Sequence, residues 1–91
     1  MGVRVKLPLF FWRDLAGGKE EVESVGHTVG ECLENLESQF PGIKQRLCDE
    51  QGRLLPYYEI FVNSKDAYPE ELSKPVKDGD VITVVVLLDG G

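Results

Sequence analysis

Polar and apolar residues alternate at the start of the chain. Val3, Val5, Leu7 and Leu9 fall on one face and Arg4 and Lys6 on the other. A period of two predicts a half-buried strand. Pro8 has no N–H to give a ladder, so the strand weakens there. Residues 13–19, Arg-Asp-Leu-Ala-Gly-Gly-Lys, read as a loop. Glu21 to Ser24 reads as a weaker second strand returning as a hairpin. The period then changes. Val29, Cys32, Leu33, Leu36 and Phe40 are spaced 3, 1, 3 and 4, which paints one stripe of a helix. Thr28 is a good N-cap, and Glu31 three residues on completes a capping box. Glu31, Glu34 and Glu37 lie off the stripe and are expected to face water, and Pro41-Gly42 stops the helix. Ile43 to Leu47 is expected to form a short second turn, and residues 49–52 a loop.

The second half is richer in β-formers. Tyr57 to Val62 reads as a strand, Asn63 to Asp66 as a turn, and Ala67 to Pro75 as an irregular stretch holding one short edge piece. Asp78-Gly79-Asp80 is a tight turn. Val81 to Leu88 is apolar at nearly every position, which suits a central strand covered on both faces. The order is strand, strand, helix, strand, weak strand, strand. It predicts an α+β fold: a mixed four- to five-stranded sheet with one main helix on one face. The first and last strands form a parallel central pair. This is the β-grasp arrangement that ubiquitin also has. One domain over residues 1–91 is expected, with a flexible Gly-Gly tail at 89–91.

Size and charge narrow the function. A chain of 91 residues cannot wall off a deep cofactor pocket with a lid and still keep a core, which argues against most stand-alone enzymes. Ten basic and sixteen acidic side chains give a net charge of −6. Such a field repels phosphate backbones and anionic lipid, so no nucleic acid or membrane partner is expected. No apolar run approaches the roughly 20 residues of a membrane helix. The opening residues lack the apolar core of a signal peptide, and Lys6 breaks the myristoylation pattern. A cytoplasmic protein with reduced thiols is expected.

The usual reactive groups are sparse. One histidine and two cysteines 16 positions apart offer too few ligands for zinc or an iron–sulfur cluster, so no metal site is expected. No Walker-type loop is present. His27 precedes the helix cap with no nucleophile beside it, and reads as an exposed residue. Cys32 lies on the apolar stripe and Cys48 ends the second helical piece, and both read as structural thiols. Many acidic side chains read as a solvated surface.

The carboxyl end is different. The strand expected at the centre runs to Leu88, and only Asp89-Gly90-Gly91 follows. At ordinary glycine usage, a terminal pair arises roughly once in 200 chains. Glycine lacks a Cβ, so such a tail can thread a narrow channel and present its carboxylate to a reactive centre. A carboxylate is a poor electrophile until its oxygen becomes a leaving group, and a partner using ATP could supply that as an acyl-adenylate. The candidate residues are therefore Gly91 as the reactive carboxylate, with Gly90, Asp89, Leu88, Leu87 and Val86 meeting a partner. About half of Val81 to Leu88 should face the uncovered side of the sheet as an apolar docking surface, with Phe10, Phe11 and Trp12 as further candidates or core residues.

With these residues in view, the chain resembles the ThiS/MoaD family of sulfur carriers. The resemblance rests on Val3-Arg4-Val5-Lys6-Leu7, Thr28-Val29-Gly30-Glu31-Cys32-Leu33, Phe40-Pro41-Gly42, Ile60-Phe61-Val62-Asn63, Lys77-Asp78-Gly79-Asp80 and terminal Gly90-Gly91. It implies that an E1-like adenylyltransferase of the MoeB/ThiF kind adenylates Gly91 with ATP and Mg²⁺. A sulfur donor then displaces AMP and leaves a thiocarboxylate, with no cofactor bound by the carrier itself. The segment from Leu47 to Leu54 is similar to the MoaD-like and CysO-like branches. The implied acceptor is the large subunit of molybdopterin synthase or a PLP-dependent sulfhydrylase of cysteine or homocysteine synthesis. Leu87-Leu88-Asp89 stands where those carriers usually show proline and alanine. Two other uses of the same fold stay open: a modifier forming isopeptide conjugates, and a non-covalent binding module.

Overall fold

The computed structural model describes residues 2–8 and 20–87. Leu9, the tail residues 88–91, and the aromatic run Phe10, Phe11 and Trp12 lie outside the described residues. The elements are β1 (Val3–Lys6), β2 (Glu21–Ser24), α1 (Val29–Gln39), α2 (Ile43–Leu47), β3 (Tyr58–Val62), β4 (Lys65–Asp66), a 3₁₀ turn (Glu71–Ser73) and β5 (Val81–Val86). The sheet order is β2-β1-β5-β3-β4. β1 and β5 are the parallel central pair and the other pairings are antiparallel. This is the β-grasp arrangement expected from the element order.

Alternation assigns the faces. Val3, Val5, Val22, Ile60, Val62, Ile82 and Val84 point inward and meet Val29, Cys32, Leu33 and Leu36 of α1 in one core. Ile43 and Leu47 of α2 close its end, while Phe40, at the helix cap, is only half-buried. Ser24 is the polar member of the inner face of β2. Its hydroxyl donates to the Cys32 carbonyl at 2.6 Å, so its burial leaves no orphaned group.

Three local expectations change. The Thr28 hydroxyl accepts from the Glu31 N–H at 3.1 Å as a cap should, but the Glu31 carboxylate reaches the His27 amide at 2.8 Å, one residue earlier than a capping box prescribes. Glu37 does not simply face water. Gly42 has φ 109°, which a side chain would resist, and that turn brings the amides of Gly42 and Lys44 onto the Glu37 carboxylate at 3.1 and 2.9 Å. A side chain of the first helix thus caps the second. The edge piece also falls earlier than expected. Asn63 and Ser64, at φ 52° and 70°, make a two-residue turn that starts β4 at Lys65, and Ala67 to Pro75 contributes the 3₁₀ turn instead.

Candidate functional site

β5 is the element that delivers the carboxyl end, and its surroundings define the site. β1 pairs with it from Arg4 opposite Val81 to Lys6 opposite Thr83. β3 pairs along its whole length, from Val62 opposite Ile82 to Tyr58 opposite Val86. The ladder runs one bond further, with the Leu87 N–H donating to the Tyr57 carbonyl at 2.7 Å. The backbone is therefore held through Leu87, and four residues remain in the sequence.

The expected site residues divide at that point. Val86 is half-buried beside Tyr58, and Leu87 is 48% exposed. Leu88, Asp89, Gly90 and Gly91 lie outside the described residues. Around the exit, Tyr57 is 49% exposed and Val85 36%. The Tyr57 and Tyr58 rings lie 4.9 Å apart, and burial pushes the Tyr58 phenol pKa up. The uncovered face of the sheet continues this patch through Val81 and Thr83 of β5 and Phe61 of β3, all half-buried. Arg4 and Lys6 flank it on β1, and Glu59 and Asp66 on the β3–β4 side. The apolar surface expected of β5 is thus present. Tyr57 was not singled out from the sequence, where it reads only as the first residue of a strand.

The remaining candidates are structural. The Cys32 and Cys48 thiols are buried, and desolvation pushes both pKa values up; at Cys48 it outweighs the opposing pull of the Lys44 ammonium. The His27 imidazole is 94% exposed and lies 3.7 Å from the Glu31 carboxylate. It borders a shallow groove with Val25, Lys77 and Asp78, at the opposite end of β5 from the tail. Among the described residues, no group of three or more His, Cys, Asp or Glu could hold a metal ion, and no helix is long and apolar enough to cross a membrane.

A second cluster, at the start of β5, was legible only as turn residues. Asn63 donates through Nδ2 to Asp80 Oδ1 at 2.9 Å and accepts from the Val81 N–H through Oδ1 at 2.9 Å. The Lys77 amide donates to Asp80 Oδ2 at 3.0 Å, and its ammonium donates to Oδ1 at 3.2 Å. The Asn63 amide, with the Lys77 groups, holds the Asp80 carboxyl below its usual pKa.

Comparison with known proteins fits this geometry. The ThiS family model matches residues 12–91. The chain is 33% identical to the sulfur carrier protein CysO of Mycobacterium tuberculosis over 94 aligned residues that cover all of both chains. A chain in the crystal structure of the Amycolatopsis orientalis BexX/CysO complex superposes with a TM-score of 0.89 at 35% identity, covering 99% of this chain and 100% of that one. Small archaeal modifier protein 3 of Haloferax volcanii is 29% identical over 65 residues, 70% of each chain.

Proposed function

The chain belongs to the ThiS family of ubiquitin-like sulfur carriers, and from that premise we propose that Gly91 carries sulfur as a thiocarboxylate. Proteins of this family act as small carriers rather than catalysts, so the chemistry is made on a partner. In the proposed cycle an E1-like adenylyltransferase uses ATP and Mg²⁺. The Gly91 carboxylate oxygen attacks the α-phosphorus, pyrophosphate leaves, and an acyl-adenylate forms. A sulfur donor then attacks the carbonyl and AMP leaves. The thiocarboxylate sulfur is soft and anionic, and it stays tethered instead of escaping as sulfide.

One observation carries this reading. The last strand is paired on both sides up to Thr83 and from β3 alone through Leu87, and Tyr57, Val85 and Leu87 are exposed beside its exit. That is a fixed base with an apolar collar for a partner, followed by a sequence ending in two residues that slide through narrow openings. For the sulfur acceptor we favour an enzyme of the cysteine type, in line with the CysO relatives, over the large subunit of molybdopterin synthase.

The test is intact-mass spectrometry after incubation with the activating enzyme, ATP, Mg²⁺ and a sulfide source. The expected product has one oxygen replaced by sulfur and reacts with an alkylating agent under native conditions, which an oxidised methionine does not. Removal of Gly91 abolishes the product. A product that forms equally without Gly91 overturns the proposal. The Haloferax relative supports a second reading, isopeptide conjugation through the same adenylated tail. A ladder of heavier conjugates in place of the sulfur-bearing product would favour it.

A further inference from the structure

β5 poses a register problem that the other strands do not. A strand finds its register when one set of alternate positions is apolar and the other is not. From Val81 to Leu87 β5 reads Val-Ile-Thr-Val-Val-Val-Leu, apolar in both sets but for Thr83. Consider a slip of two residues that draws the strand back toward its own beginning. Val84 would take the place of Ile82, and Val86 that of Val84, and the core would remain apolar. The opposite slip would carry Asp80 into the place of Ile82, which is fully buried, and a lone carboxylate there is very costly. Burial therefore guards against one direction and barely against the other.

The contacts at the head of the strand guard against the second. Asn63 makes three contacts here, and only the one to the Asp80 side chain is specific to a residue, since the other two meet backbone groups that any residue at that place would offer. Its Oδ1 accepts from the Val81 N–H, its Nδ2 donates to the Asp80 carboxylate, and its own backbone N–H donates to the Val81 carbonyl at 2.8 Å. After the drawn-back slip, Ile82 would stand where Asp80 does, and it offers the Asn63 amide no acceptor. The Lys77 contacts to the Asp80 carboxylate would be lost as well.

The same slip acts at the far end of β5. Asp89 would take the place of Leu87, leaving Gly90 and Gly91 beyond it. Four extended residues span at most roughly 14 Å and two roughly 7 Å, so the reach is halved. We propose that Asn63, by gripping the Asp80 carboxylate, is a positioning residue that fixes the register of β5 and with it the number of residues that follow the last bond to β3. This rests on the reading of Gly91 as the reactive end.

The test uses the full chain with Asn63→Gly, which removes the amide but suits the positive φ at that position. Cross-strand NMR contacts report the register directly. The native pairs are Tyr58 with Val86, Ile60 with Val84 and Val62 with Ile82. The variant is expected to show a second set two residues on: Tyr58 with Leu88, Ile60 with Val86 and Val62 with Val84. In the activation assay, the KM for the carrier rises by the reciprocal of the native-register fraction, while kcat at saturation holds. Combining Asn63→Asp with Asp80→Asn keeps one donor and one carboxylate across the gap, and is expected to restore both readouts. Should Asn63→Gly fail to fold, Asn63→Ser is read in the same way. A single, native set of contacts in the variant overturns the register lock. A shifted set with unchanged KM overturns the positioning role. If the chain lacking Gly91 is still activated, the reading of the tail fails, and the NMR result stands apart from it.

Discussion

Among the described residues Leu87 is the last whose backbone the sheet holds, and about half of the residue is uncovered. If an activating enzyme seats on the collar around the exit, that half becomes buried. Full burial of a leucine side chain contributes about 1.5–3 kcal/mol. At 48% exposure the part left to gain is about 0.7–1.5 kcal/mol, or roughly 3- to 12-fold in affinity. Leu87→Ala is expected to raise the KM for the carrier by that factor, with the upper figure a ceiling because alanine keeps Cβ. Maximal turnover should hold, since the variant leaves the Gly-Gly end intact. Fold stability should fall by no more than about 0.8–1.6 kcal/mol, the covered half by the same accounting, because the bond from residue 87 to the Tyr57 carbonyl is a backbone bond and is kept. ATP–pyrophosphate exchange at varied carrier concentration measures the first effect and urea unfolding the second. Tyr68→Ala is the control: the residue is 71% exposed just past β4, which β3 separates from β5, and its loss should leave KM alone. The docking argument fails if Leu87→Ala leaves KM at the wild-type value while loss of Gly91 abolishes exchange. It fails equally if Tyr68→Ala raises KM as much.

Three further outcomes follow from the fold. Thr28→Ala removes the acceptor for the Glu31 N–H and should cost about 1 kcal/mol in chemical denaturation; no measurable change would remove the cap from the account. The Glu37 carboxyl is held below its usual pKa by the amides of Lys44 and Gly42. A depressed carboxyl stabilises fully above its unfolded value, and that contribution is lost as pH falls through the lower folded value. Asp80 acts in the same sense. Glu37→Gln should therefore flatten the fall of stability below about pH 4.5, the onset set by the unfolded carboxyl, and an unchanged acid limb would count against the cap on α2. Cys32 and Cys48, buried with raised pKa values, should resist alkylation at pH 8 in the native protein and react in urea. Rapid native labelling of either would contradict their burial.

The fold was legible where one period dominates. The alternation of β1 and the 3-1-3-4 stripe of α1 each admit one arrangement, the apolar run of β5 marks a central strand without fixing its register, and the order of the elements leaves few topologies. What stayed hidden depends on residues far apart in sequence. Glu37 reads as one more surface acid because nothing local says that Gly42 will turn two amides back onto it. Asn63 and Asp80 read as turn formers, since 17 positions separate the partners that lock β5. Tyr57 escaped notice for a similar reason. Its exposure follows from being opposite Leu87, a pairing that exists only once β3 and β5 meet.

The same geometry constrains any partner that works on the tail. β5 up to Leu87 belongs to a framework with packed Ile82 and Val84 beneath it. The four residues beyond can carry Gly91 no further than roughly 14 Å. A partner that touches the collar must therefore place its reactive centre within that distance of its own contact surface. Lengthening the tail by two glycines before Asp89 would relax the distance but loosen the placement. If reach alone limited the reaction, such an insertion would be neutral. If orientation matters, kcat should fall while KM holds, because the collar still docks and the end no longer arrives in one place.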